Sequence, residues 1–249
     1  MSSNFGLRAL VFATLVICES PLASPTVKAW ETERGARVLF IAAPEIPMVD
    51  VRLVFAAGSV RDKNKGGIAK IVNRLLVEGA GNLRAIKFKD RLAATGARLY
   101  VDSVREMAFI SLRTLSDQIY FQEAVRLLAM AAAEPRFDSQ EIKRAIEESR
   151  LQLKLKEQSL SSLADESFWQ TMYSDHPYGQ PPLGTRKSLS TIRKKDLSEF
   201  HQTYYVNRNM VIAIVGALGE SDARTLSESI SKRFPVGVAP SAIPEVALM

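Results

Sequence analysis

The alternation of apolar and polar positions divides the chain into short strands and amphipathic helices. ARVLFIAA (36–43) and VDVRLVFAAGSV (49–60) are rich in β-branched and aromatic residues. The prolines of PEIP separate them, which predicts two strands joined by a short loop. After Gly66 and Gly67 the period changes. Ile68, Ile71, Val72, Leu75 and Leu76 recur at i, i+3, i+4, i+7 and i+8, a helix with one apolar face that Gly79 ends. A second helix is predicted over 84–95, stopping at Gly96. ARLYVDSV and EMAFISLRTL follow as two strands broken near Arg105, and then an Ala- and Leu-rich helix over 117–133. The run that begins FDSQEIKRAIEE opens a long helix, with Asp138 as N-cap and Glu141, three residues on, completing a capping box. Further helices are predicted over 160–173 and 194–205, separated by the Pro/Gly loop HPYGQPPLGT. NMVIAIVG (209–216) reads as a strand and SDARTLSESISKRF as a last helix.

The order is ββααββααααβα, with no internal repeat. It predicts an α+β domain over 35–235: an antiparallel-dominated mixed sheet with helices packed on it. Residues 236–249 form a Pro-rich tail or truncated linker.

Composition changes this picture little. The net charge of +6 comes from 33 Lys and Arg interleaved with 27 acids, without a basic block or an aromatic-studded basic stripe. That argues against a nucleic-acid surface and for an evenly solvated exterior. The N-terminus changes it more. Arg8, the apolar run ALVFATLVIC (9–18), Pro21 and the small residues Ala23 and Ser24 predict a signal peptide over 1–23. The run is shorter than the ~20 residues a membrane span needs. A periplasmic or secreted product with no stable membrane span is the expectation. Its cleavage would remove Cys18, the lone cysteine, so no disulfide or cysteine-rich metal site is expected.

The candidate chemistry lies on the first helix. In the inverted zinc motif H-x-x-E-H, two histidines at i and i+4 bind Zn²⁺ and the glutamate at i+3 activates the metal-bound water. In GGIAKIVNRLLVEG the corresponding places hold Lys70, Asn73 and Arg74. Two side chains are cationic and offer a metal no lone pair, and an asparagine cannot act as a general base. Taken alone, the stretch is equally the polar face of an ordinary amphipathic helix. The two histidines, His176 and His201, have no ligand-type residue at i+3 or i+4, and His176 reads as structural within its loop.

Several stretches together resemble the pitrilysin/insulinase family of zinc metallopeptidases, to which mitochondrial processing peptidase belongs. They are VLFIAAPEIPMVDVRLVFAAGSVRDKNKGGIAKIVNRLLVEG, LAATGARLYVDSVREMAFISL, EIKRAIEESRLQLK, and the closing HPYGQPPLGT with YYVNRNMVIAIVG. The last segment is the most specific, because its HPYG…LGT loop, YY…N helix end and MV…VG strand come in the family's order and spacing.

The resemblance places Lys70 and Arg74 at the zinc histidines and Asn73 at the catalytic glutamate. It places Glu148, seven residues after Glu141, at the third zinc ligand. Glu148 is thus either an orphaned ligand position open to pairing with Lys70 or Arg74, or one more charge on a solvated helix. Leu99, Tyr100, Val101, Asp102 and Ser103 fall on the strand whose edge holds extended peptides in the family, or they form an ordinary sheet strand.

The resemblance further implies a two-domain subunit about twice this length, whose second domain supplies an Arg/Tyr pair. Only the first domain is matched here. The expectation is therefore a pseudoenzyme without zinc or other cofactor, acting as non-catalytic partner of an active zinc-peptidase subunit. A degenerate fragment or free peptide-binding module is the alternative, and a metallopeptidase with an altered site is a third reading.

Overall fold

The computed structural model describes residues 26–246. The signal peptide expected over 1–23 lies outside the described residues. The elements, in chain order, are β1 (Lys28–Glu31), β2 (Arg37–Ala42), β3 (Met48–Phe55), α1 (Ile68–Leu75), β4 (Gly79–Ala80), β5 (Leu83–Arg84), α2 (Ala85–Ala94), β6 (Arg98–Ser103), β7 (Ala108–Leu115), α3 (Gln118–Ala133), α4 (Ser139–Glu157), α5 (Leu160–Tyr173), α6 (Arg186–Thr191), α7 (Lys194–Tyr204), β8 (Met210–Gly216) and α8 (Glu220–Ser231).

Six strands form one sheet in the order β1-β2-β8-β3-β7-β6, and β4 and β5 make a separate small hairpin. Only β2 and β8 run parallel in the large sheet. The α+β architecture with an antiparallel-dominated sheet is therefore the observed one. Strand periodicity sets the core. Val49, Val51, Leu53 and Phe55 of β3 are buried, as are Ile110 and Leu112 of β7 and Ile212 and Ile214 of β8. α1 and α3 pack on β7, and α8 on β2. The alternate positions, with Arg52, Arg113 and Val215 exposed, form the opposite face. No described helix is long and apolar enough to cross a membrane.

Four elements were not legible. β1 is a four-residue strand with two charged ends, held by Trp30, whose indole N–H donates to Ser227 Oγ at 3.3 Å. The β4–β5 hairpin has two residues per strand, and α6 is a six-residue helix between the expected loop and the helix expected over 194–205. The run 49–60 ends its strand at Phe55 because Gly58 and Ser59 turn to bond the β6–β7 connection, at Glu106 O (3.2 Å) and Val104 O (3.0 Å). One local expectation is corrected. Asp138 does not cap α4 with its side chain; its carboxylate is taken by Arg136 at 2.9 and 3.3 Å. Glu141 pairs with Arg144 instead of completing a box. An arginine two residues away competes better for that carboxylate than backbone N–H groups do, since charge-assisted bidentate bonds are the stronger kind.

Candidate functional site

The site is built on α1, and its start is unusually constrained. Gly67 takes φ +91°, and a Cβ there would lie 2.6 Å from the Leu183 carbonyl oxygen. The Asp62 carboxylate accepts the Gly67 N–H at 2.6 Å and the Ala69 N–H at 3.0 Å, satisfying groups that no helical carbonyl can reach. Burial pushes the Asp62 carboxyl up to about 7, with the two N–H groups pulling the other way. The Ser188 hydroxyl donates to Gly66 O at 2.8 Å, and Gly184 packs directly on that carbonyl. The HPYG…LGT loop is thereby locked to the beginning of the helix.

From this base α1 lies between α4, α7 and the β6–β7 part of the sheet. Lys70 points to the sheet edge, where its Nζ donates to Asp102 Oδ1 at 2.7 Å and to Ser103 O at 3.2 Å. Arg74 points to α4 and forms an ion pair with Glu148. Asn73 lies between them and is buried, donating its amide N–H to Phe109 O at 3.1 Å. Beside it the Tyr205 hydroxyl is fully buried, facing the Asn73 amide. That burial holds the phenol above its ordinary range, with the Asn73 amide opposing the shift. Glu141 stays on the Glu148 face of α4 but pairs with Arg144, which also reaches Glu78 at 2.5 Å. A cleft of about 270 Å³ opens between α1, α4 and β6, lined by Lys70, Asn73, Arg74, Val101, Asp102 and Gln152.

This donor set does not fit a tetrahedral zinc ion. Lys70 and Arg74 present protonated nitrogens, and Asn73 already spends its amide on a backbone carbonyl. Glu148 is the one anionic oxygen donor among the four positions, and it faces a guanidinium. Neither histidine is hydrogen-bonded to any of these four positions. His201 is buried, donates from Nε2 to Ala132 O at 2.8 Å, and is held neutral down to about pH 4 by desolvation. His176 accepts the Tyr178 N–H on Nδ1 at 3.2 Å and donates from Nε2 to Pro244 O at 2.9 Å, anchoring the tail.

β6 is an edge strand of the large sheet. Leu99 and Val101 pack against the core, Tyr100 is largely exposed against Phe109, and Asp102 and Ser103 meet Lys70. The two candidate regions, the α1 triplet and the β6 strand, therefore meet at Lys70. Sequence spacing carried no sign of that link across thirty-two residues. Asp62 was also missed, because a remote cap outside any capping-box spacing leaves no local pattern.

A family model described as "Insulinase (Peptidase family M16)" matches residues 37–186, more than half of the chain. A second, described as "Peptidase M16 inactive domain", matches 191–246. The chain is 29% identical over 169 residues to the "Non-peptidase homolog YmxG" of Helicobacter pylori, covering 67% of this chain and 39% of that one. It is 21% identical over 213 residues to an "Uncharacterized zinc protease" of Rickettsia felis, covering 85% and 51%. Among solved structures, the "peptidase M16 inactive domain from Pseudomonas fluorescens" superposes with a TM-score of 0.87 and 33% identity, covering 89% of this chain and 54% of that one. Pitrilysin superposes with a TM-score of 0.79 at 20% identity, covering 94% of this chain and 26% of that one, a likeness of fold. The chain spans about half or less of the length of these relatives.

Proposed function

The chain belongs to the insulinase (M16) peptidase family, and on that premise we propose that it is a member without peptidase activity of its own. The observation that carries this reading is the Arg74–Glu148 ion pair. It fills, with a guanidinium and its counter-ion, the place where a zinc enzyme of this kind would hold an imidazole and a carboxylate on one metal. Lys70 adds a second cation, and cations at two ligand positions repel a divalent ion. An altered-site metallopeptidase is disfavoured for the same reason.

The finer reading is a zinc-free, exported subunit that serves as non-catalytic partner of an active zinc peptidase of the same family. The matches to a non-peptidase homologue and to an inactive-domain model support the silent half of that statement. The position of β6 at the sheet edge supports a capacity to hold extended peptides, since edge pairing uses the backbone and survives loss of catalytic side chains.

The test is zinc content of the purified chain after equilibration with zinc and removal of loose metal, alongside cleavage of a quenched fluorescent peptide. Substoichiometric zinc and no cleavage are expected. Tight zinc at one per chain overturns the silent reading. Co-purification with an H-x-x-E-H chain from the same genome, with peptidase activity higher in the pair than in that chain alone, tests the partner role.

A further inference from the structure

The register of β6 on β7 fixes which of its backbone groups face the free edge. The Val104 N–H donates to Met107 O at 2.9 Å, in the same register that pairs Asp102 with Phe109 and Tyr100 with Ser111. Antiparallel ladders alternate bonded and non-bonded pairs. Asp102, Tyr100 and Arg98 therefore turn their N–H and C=O groups toward β7, and Leu99, Val101 and Ser103 turn theirs outward. An edge of this kind invites an added strand unless something blunts it.

Among the described residues, nothing bonds the outward groups of Leu99 and Val101. Ser103 differs at both ends. Its N–H donates to Asp102 Oδ1 at 2.8 Å, and its carbonyl accepts Lys70 Nζ at 3.2 Å. Lys70 closes the ring by donating to the same Asp102 Oδ1 at 2.7 Å. Both groups that Ser103 would offer an incoming strand are thus engaged by side chains of this chain, held together by an ion pair.

We infer that Lys70 and Asp102 form a stop that closes the β6 edge at Ser103, so that an extended peptide docking there finds free backbone only at Leu99 and Val101. The stop stands beside the cleft under Asn73 and Arg74, which Asp102 and Lys70 both line. A docked segment therefore finds no free backbone on β6 beyond Val101. A lysine at position 70 does two things at once: it removes a metal-binding position, and it shuts the edge beside it. The inference takes from the functional reading only that an extended peptide is the ligand; the stop itself is a property of the free chain.

Two measurements on the full chain separate these levels. Residue-resolved amide hydrogen exchange reads the stop without any peptide. The Ser103 amide is expected to exchange roughly ten-fold or more slowly than those of Leu99 and Val101, as one extra hydrogen bond provides, and Asp102→Ala to erase the difference. A wild-type Ser103 amide exchanging as fast as its two neighbours overturns the stop, and needs no variant to show it.

Fluorescence anisotropy with a labelled decapeptide of alternating Val and Thr reads the consequence. The Lys70→Ala/Asp102→Ala chain is expected to bind roughly ten-fold tighter than wild type, with unchanged circular dichroism. Equal affinity, or no binding by either chain, overturns the stop as a gate. It leaves the silent-peptidase reading standing, because zinc content decides that one.

Discussion

Arg74 of α1 and Glu148 of α4 are in side-chain contact, an ion pair bridging the two helices on which a zinc site of this family would be assembled. The contact brings the side chains of positions 74 and 148 together, so exchanging the donors tests directly whether the two helices can share a metal. The triple substitution Lys70→His/Asn73→Glu/Arg74→His would supply two imidazoles on one helix face, with Glu148 in reach as third ligand. It is expected to take up zinc near one per chain by elemental analysis after dialysis. Adding Glu148→Gln should remove it. Zinc uptake that survives Glu148→Gln would mean that the metal sits elsewhere.

The same pair stabilises the fold little. Its side chains are 39% and 35% exposed, so water screens the attraction. A double-mutant cycle with Arg74→Ala and Glu148→Ala, followed by urea denaturation, should give a coupling below about 1 kcal/mol. A coupling of several kcal/mol would show a pair far better shielded than its exposure indicates.

Most of the architecture was readable because its signals are local. The period-2 alternation of β3, the i, i+3, i+4 face of α1 and the closing VIAIVG strand each state their element and buried face directly. What escaped depends on distant partners. β1 exists because Trp30 reaches Ser227 and Phe40, and α1 starts where it does because Asp62 and the Leu183–Gly184 turn hold Gly66 and Gly67. The candidate site divides the same way. Lys70, Asn73 and Arg74 stand out only through the family resemblance of the surrounding stretches, since their helix alone reads as an ordinary polar face. The pairing of Lys70 with Asp102 is not visible at all, because nothing in a linear pattern tells which of several acids an exposed lysine will meet.

Gly184 offers a sharp test of the loop lock. It sits at φ +71°, and a Cβ would fall 2.1 Å from Gly66 O, a backbone atom that cannot move aside. Gly184→Ala should therefore lower stability by about 2 kcal/mol or more, with α1 the element that loosens. Thermal unfolding checks the magnitude, and faster amide exchange at Ile71 and Val72 checks the location. A neutral substitution would show that the 181–188 turn is not needed to hold the helix.

Asn207 ties the start of β8 to the end of α8. It is fully buried, with its amide nitrogen donating to Ser231 O at 3.0 Å and Phe234 O at 2.9 Å, and its oxygen accepting the Ser231 hydroxyl at 2.7 Å. Asn207→Ala strands those partners in the interior, and a loss of about 3 kcal/mol is expected by chemical denaturation. Asn207→Asp should be at least as harmful, since a carboxylate replaces the donor that the two carbonyls require. A well-tolerated Asp would mean that the carbonyls are otherwise satisfied.

Two buried groups give opposite pH dependences, and their opposition is itself testable. Burial raises the Asp62 carboxyl from 3.8 to about 7, so the folded chain holds that proton more tightly than the unfolded one. Its contribution to stability therefore falls as pH rises through that interval. Burial lowers His201 from 6.5 to about 4, so the unfolded chain takes up a proton that the folded chain refuses. Its contribution rises with pH between those values. Between about pH 5 and 6.5 the two slopes offset each other, and the wild-type melting temperature should change little. Asp62→Asn leaves the histidine slope alone, so the variant, though less stable throughout, should melt higher at the upper end of that interval than at the lower. His201→Gln should show the reverse, melting lower as pH rises. Wild type and Asp62→Asn rising in parallel, with His201→Gln flat, would mean that Asp62 stays ionised over this range, with the N–H groups of Gly67 and Ala69 outweighing its burial.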